Sequence, residues 1–318
     1  MGFGIWDFSL EGFDFNLILF PLATVLAAIV LFLGIYLAIK LVKGKGKVIR
    51  ALNMTLFLVS VPKISAEEKG KRPFKEIIAV MEQFYASLSN LKESSDYKVF
   101  LYGQPTIVFE MAVPHIGEEI CFYVACPRRM SAVVEKQIHG FFPAADVRQV
   151  SDYNIFNPQG VSVGSYLILA RGRSLPFKTY QNLEADPLNE IVNALSKLKT
   201  EGEGAAIQIV LRPIKDKRWR QTSLKIAREM QQGKSYDKAR QKADRHWTLR
   251  LIDEISQISQ GPGKSATPKI PPPATAQATP LDSEIIKALQ SKASKVVYEA
   301  NINLVASAAM QGEAEQIL

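Results

Sequence analysis

The longest apolar run in the chain is Leu17–Ile39, LILFPLATVLAAIVLFLGIYLAI, 23 residues without a charge. About 20 apolar residues in helical form cross a bilayer core, so the run predicts a transmembrane helix over 17–39. Pro21 falls in the first turn, where a missing N–H is tolerated. The run is longer than a signal-peptide core, and no A-x-A site follows it. Asp7, Glu11 and Asp14 precede it; Lys40, Lys43, Lys45, Lys47 and Arg50 follow it. This asymmetry predicts residues 1–16 outside and the bulk of the chain in the cytoplasm. Residues 40–52 are then a basic juxtamembrane segment able to touch anionic lipid headgroups.

Beyond the span, periods of two and of 3.6 alternate. Residues 53–62, NMTLFLVSVP, are β-branched and apolar and predict a strand. Ile77, Met81, Phe84 and Leu88 recur at helical spacing. TIVFEMAVP (106–114) and EICFYVACP (119–127) predict a hairpin closed by His115–Glu118. A helix follows with Val134, Ile138 and Phe141 on one face, then a strand at 145–150. The order β-α-β-β-α-β predicts a ferredoxin-like domain over 53–150, with two helices on one face of a four-stranded antiparallel sheet.

A second unit of the same kind is predicted over 160–318. VSVGSYLILAR (161–171) is a strand. Asp186-Pro187 opens a helix striped by Leu188, Ile191, Val192, Leu195 and Leu198, and AAIQIVLRPI (205–214) is the next strand. A basic helical insert (215–258) and a Pro/Ala/Thr linker (261–281) interrupt the pattern. It resumes with a helix at 282–294, a strand at 296–308 and the start of a helix at Gln311. An offset of 180 lays Ile302–Leu318 on Phe122–Ile138, strand on strand and helix on helix, with Met310 on Met130 and Glu315 on Glu135. The second unit is thus incomplete at its C-terminal end, and the repeat predicts that the natural polypeptide continues. The fold class is α+β: one transmembrane helix, then two ferredoxin-like units.

Composition sharpens this picture without adding an active site. A 47% hydrophobic chain excludes wholesale disorder. Its two cysteines, Cys121 and Cys126, lie five apart on one predicted strand and so point to opposite faces as free thiols. Gly263-Lys264-Ser265 ends like a P-loop, but Ile258 stands where the first glycine belongs, and prolines surround it. His115, His139 and His246 have no partner at metal-ligand spacing. No catalytic constellation, metal site or cofactor site is predicted.

The basic insert is the most unusual local feature. Residues 212–250 carry 13 Lys/Arg and four acids, a balance of 13 − 4 = +9 in a chain whose net charge is +8. Trp219, Tyr236 and Trp247 are interleaved. Arg218, Arg220, Lys225, Arg228, Lys238, Arg240, Lys242 and Arg245 are the candidate residues for an anionic partner. DNA, an acidic membrane surface or protein partner, and plain solvation are all compatible with such a segment.

The plan as a whole resembles a known family. The phrases are NMTLFLVSVPK, KEIIAVMEQFYASLSNL, TIVFEMAVPHIGEEICFYVACPRRM, IQIVLRPIKDKRWRQ and ANINLVASAAMQGEAEQIL, behind a single span. Over about residues 15–318 the chain is similar to the N-terminal region of membrane-bound ATPases of the type IV secretion and conjugation class, as found in candidate phyla radiation bacteria. The resemblance implies a place at the bacterial inner membrane. It also implies a RecA-like motor that carries the Walker motifs, in the same chain or a neighbour, and transfer of DNA or protein across the envelope. Secretion-system subunits, and other copies of the chain, are the implied partners. No Walker motif occurs in these 318 residues, so no ATP-binding residue carries over. The expected role is non-catalytic, anchoring and positioning the motor; the alternative is a membrane-tethered nucleic-acid-binding protein acting through residues 212–250.

Overall fold

A computed structural model of the chain describes residues 15–62, 74–114, 119–170, 172–183, 186, 188–198, 201–214, 218–244 and 279–318. In chain order the elements are α1 (Phe15–Leu52), β1 (Met54–Ser60), α2 (Phe74–Leu88), α3 (Asp96–Tyr102), β2 (Ile107–Val113), β3 (Cys121–Pro127), α4 (Ser131–Phe141) and β4 (Asp146–Val150). There follow β5 (Val161–Tyr166), α5 (Leu188–Leu195), β6 (Gly204–Pro213), α6 (Arg218–Gln231), α7 (Tyr236–Asp244), α8 (Pro280–Ser294), β7 (Tyr298–Ala308) and α9 (Gln311–Ile317).

The chain divides into two compact units. The first holds residues up to Asn53 together with Ser95–Gly103, and in it α3 packs against α1. The window Leu22–Leu41 of α1 has a mean hydropathy of 2.7 and no buried side chain, so it is long and apolar enough to cross a membrane. The predicted span and the predicted basic segment are one helix. Lysine and arginine are good helix formers, and Gly44 and Gly46 do not break the run.

The second unit holds Met54–Ser94 and Gln104–Leu318. It is a mixed α/β unit in which the strands form one sheet of seven, in the order β4-β1-β3-β2-β6-β7-β5. Every neighbouring pair is antiparallel. The strands of both predicted units therefore share a single sheet, joined where β2 pairs with β6.

Alternation along the strands separates two faces. On one face Phe57, Ile107, Val124 and Cys126 meet Phe84 and Leu88 of α2 and Val134 and Ile138 of α4. Phe84 is the hub, with ring centroids 5.7–6.1 Å from Phe109, Phe141 and Phe142, each pair edge-on. Further along the same face, Val113, Leu195, Ala205 and Ala306 form a smaller core. On the other face, Ala112, Tyr123 and Ile155 pack with Leu56, Cys121, Ala206 and Val305. The two cysteines thus lie on opposite faces, both as free thiols, and burial pushes the Cys126 thiol up to about 11.

Ile155 belongs to the connection from β4 to β5, which stand at opposite edges of the sheet. That connection crosses this second face and covers its middle. Gly204 permits the crossing: a Cβ there would lie 2.1 Å from the carbonyl oxygen of Ile155.

Several boundaries differ from the sequence expectation. The strand predicted over 161–171 ends at Tyr166, with one further hydrogen bond to β7, from the Leu167 N–H to the Ile302 carbonyl at 2.9 Å. The basic stretch is two helices, α6 and α7, separated at Gly233, whose φ is 81°; residues 245–258 lie outside the described residues. So does most of the predicted linker, but its last two residues, Pro280 and Leu281, already belong to α8. Thr279 and Asp282 form a capping box there, with proline in the first turn. The loop with His115, the Gly263-Lys264-Ser265 triplet and His246 also lie outside the described residues. Helix α3 has no counterpart in the sequence reading.

Candidate functional site

One rung of the ladder crosses all seven strands: Arg148, Leu58, Tyr123, Glu110, Gln208, Asn303 and Tyr166 stand opposite one another in turn. Its centre is polar. Gln208 Nε2 donates to Glu110 Oε1 at 2.5 Å, and Asn303 Nδ2 donates to Gln208 Oε1 at 3.0 Å. Asn301 Nδ2 donates in turn to Asn303 Oδ1 at 2.9 Å. From the crossing segment, the Tyr153 hydroxyl donates to Glu110 Oε2 at 2.7 Å. Tyr153 stacks on Tyr123, centroids 4.2 Å apart and planes within 3°.

Glu110 is the acceptor that ends both branches of this network. Burial, then the hydrogen bond to Glu110, raises the Tyr153 phenol well above its ordinary range. Burial, then Cys121 and Glu110, pushes the Tyr123 phenol up to about 12. Both phenols stay protonated at neutral pH, so neither is a base there. Beside the network lies an open cleft of about 520 Å³, lined by Glu110, Asp152, Tyr153, Gln208, Ser165 and Tyr166 among others. The arrangement offers hydrogen bonds and one well-held carboxylate. It holds the sheet's midline and leads out to β5. No group of three His, Cys, Asp or Glu among the described residues is placed to hold a metal.

The two edges of the sheet differ in chemistry. The β4 edge carries Asp146 and Arg148, ion-paired at 2.5 Å, and charged side chains blunt an edge. The β5 edge carries no charge from Val161 to Ala170. At the end of β5 and just past it, Tyr166, Leu167 and Ile168 are 65%, 55% and 79% exposed.

The residues singled out in the basic insert are only partly gathered. Ile226, Met230, Ala239, Ile286 and Leu289 give α6, α7 and α8 a core of their own, on which Tyr236 packs. Buried Glu229 takes Lys242 at 2.6 Å and Lys234 on its other oxygen. Hydrogen bonds from those two lysines hold the Glu229 carboxyl below its ordinary range. Lys225 Nζ donates to the Lys242 carbonyl at 3.1 Å. The Arg240 guanidinium lies against Gly172, where a Cβ would come within 2.4 Å of Cζ. Arg220 is half-buried, 5.7 Å from the Trp219 ring centroid. Arg218, Arg228 and Lys238 are exposed; Arg245 and Trp247 lie outside the described residues. Several of these cations therefore brace the insert itself. Of the juxtamembrane residues, Lys40 is exposed, and Lys43, Lys45, Lys47 and Arg50 lie on α1 with side chains outside the described set.

The polar rung was missed from sequence, although a signal exists. Glu110, Gln208 and Asn303 are each a polar residue inside an otherwise apolar strand, VFEMA, AIQIV and INL.

These features define a mixed α/β domain built on one antiparallel sheet, behind a helix apolar enough to span a membrane. The chain belongs to the family described as Domain of unknown function (DUF8128), which matches residues 72–317. No curated protein and no solved structure matches it.

Proposed function

We propose that the chain is the membrane-anchoring and interaction region of a transport ATPase of the type IV secretion and conjugation class. Helix α1 is the anchor, at the bacterial inner membrane, with its N-terminus outside and the sheet on the cytoplasmic side. The sheet is the interaction module. The observation that carries this reading is the uncharged β5 edge with exposed Tyr166, Leu167 and Ile168 at its end, the kind of surface that accepts another chain. The basic flank of α1 supports the orientation.

Two ferredoxin-like halves account for the sheet. The order β4-β1-β3-β2, with α2 and α4 packed on one face, supports the first. The order β6-β7-β5 repeats β2-β3-β1 and supports the second. The α6–α8 insert sits between β6 and β7 in the chain, where residues 114–120 join β2 to β3 in the first half.

The test is made in the native membrane, with p-benzoylphenylalanine replacing Ile168. The full chain is expected to sediment with membranes after carbonate washing. Its crosslinked product is expected to contain a RecA-like ATPase or an envelope transport subunit, identified by mass spectrometry. Release of the chain by carbonate would remove the anchor role. Crosslinks confined to proteins unconnected with transport would remove the interaction role.

A further inference from the structure

Helix α3 is the segment whose placement is hardest to explain by the sheet. Its neighbours in sequence belong to the second unit, yet α3 groups with α1. It is seven residues long, DYKVFLY, and helices that short are not stable alone in water. Packing against α1 is the tertiary contact that holds it. Ser95 caps its first turn, and Gly103 ends it with φ at 75°.

Its exposed side chains are large and aromatic. Tyr97, Phe100 and Tyr102 are 72%, 51% and 46% exposed, and Val99 is only partly so. At 3.6 residues per turn, Tyr97 and Phe100 lie about 60° apart on one face, and Val99 lies on roughly the opposite side. Asp96 borders that face, about 40° from Phe100. Aromatic rings with a polar rim are the composition of a bilayer's interfacial belt.

The level along α1 also fits. All described side chains from Leu22 to Leu41 are exposed, so α3 does not cover the middle of the span. At 1.5 Å per residue α1 is about 57 Å long, against a hydrocarbon core of about 30 Å. A helix packed on α1 outside that window lies within about 16 Å of the hydrocarbon core at 1.5 Å per residue.

We propose that α3 is an interfacial helix, with Tyr97 and Phe100 inserted at the boundary of headgroups and acyl chains beside the span. The partner is phospholipid. The inference rests on the membrane reading of α1 and adds a second lipid contact to it.

The test uses the full chain in vesicles of phosphatidylethanolamine and phosphatidylglycerol. Four single replacements by p-benzoylphenylalanine are compared, at Tyr97, Phe100, Leu31 and Lys238. Photolysis is followed by mass spectrometry for covalent lipid adducts. The expected result is adducts at Tyr97, Phe100 and mid-span Leu31, and none at Lys238 on α7. Adducts at Leu31 alone overturn the α3 proposal and leave the anchor intact. Absence of adducts at Leu31 as well overturns the membrane reading, and the proposal with it. The replaced residues are exposed and the replacement is aromatic at the two α3 positions, so folding is preserved in each case.

Discussion

The two halves of the sheet share a topology and differ in how they are filled and closed. In the first, β3 lies between β1 and β2; in the second, β7 lies between β5 and β6. The registers match as well. Glu110 faces Tyr123, and 98 and 180 residues further on Gln208 faces Asn303. Glu110 and Gln208 face each other where the halves meet, so the two halves are related by an approximate two-fold axis through that pair. Helices α4 and α9 begin 180 residues apart, and Val134 and Ala314, which correspond, are both fully buried. The fillings differ. The first half is packed with aromatic rings around Phe84, the second with Ala205, Ala306 and Leu195. The closures differ too, for β1 carries the charged strand β4 on its outer side, whereas β5 carries no further strand among the described residues. A shared pairing scheme thus supports a dense, closed half and a lighter, open one.

The largest expected effect separates the fillings. Phe84 is 2% exposed and meets four aromatic rings, so Phe84→Ala should cost about 3–5 kcal/mol. Leu195, 8% exposed in a core that holds Ala205 and Ala306 and is lined by partly buried side chains, should cost about 2 kcal/mol as Leu195→Ala, the low end for such a truncation. Denaturant unfolding of the full chain in detergent measures both. Equal costs would mean that the halves are packed alike.

The next effect tests the joint. Glu110→Ala leaves the Tyr153 hydroxyl and the Gln208 amide without their acceptor; both are half-buried beside an open cleft, so each loss should cost about 1 kcal/mol, the low end for an unsatisfied group. A double-mutant cycle with Tyr153→Phe should return a coupling of about 0.5–3 kcal/mol, as for residues in one hydrogen-bond network. A coupling near zero would show that the rung is not a single network.

Much of this comparison was legible in the sequence, and its limits have physical causes. Period-two and helical patterns placed the strands and most helices, because each buries one face. The 180-residue offset laid β7 and α9 on β3 and α4, because the two helices start 180 residues apart and the strand registers match at that offset. The polar rung was not legible, because Glu110, Gln208 and Asn303 lie on three strands and only the register brings them together. The crossing segment around Tyr153 has no periodicity to read. Helix α3 is too short for a pattern, and its partner is distant in sequence. In the basic insert the charges were plain, but the break at Gly233 that turns Lys234 and Lys242 onto Glu229 was not.

A smaller effect concerns acid. Lys234 and Lys242 hold the Glu229 carboxyl below its ordinary range, and Lys295, then Tyr180, does the same for Glu82 against the cost of burial. A carboxyl depressed in the folded state adds stability above its unfolded pKa, near 4.3. That stability is lost as the pH falls through the lower folded value. The melting temperature of the wild type should therefore drop between about pH 5 and pH 2. Glu229→Gln should flatten that limb more than Glu82→Gln, because Glu229 is buried with two lysines and Glu82 is 39% exposed with one. The reverse order would place the acid-sensitive contact between α2 and Lys295 instead of in the insert.

The smallest effect on stability tests the closures. Ile168 is 79% exposed just beyond β5, so Ile168→Lys removes no packing and should change stability by no more than about 0.5 kcal/mol. It does place a charge beside an edge that has none, which is how sheets avoid pairing edge to edge. Self-association of the detergent-solubilised chain, followed by sedimentation, should fall. The converse change on the other edge is Arg148→Val, which breaks the ion pair with Asp146 and loses one of the two charges there. That pair is exposed, and breaking it costs little stability, yet association should rise. If both variants associate like the wild type, charge does not distinguish the two edges. If only Ile168→Lys changes, the short β4 strand is protected by its length and twist, and the openness of the second half resides in β5 alone.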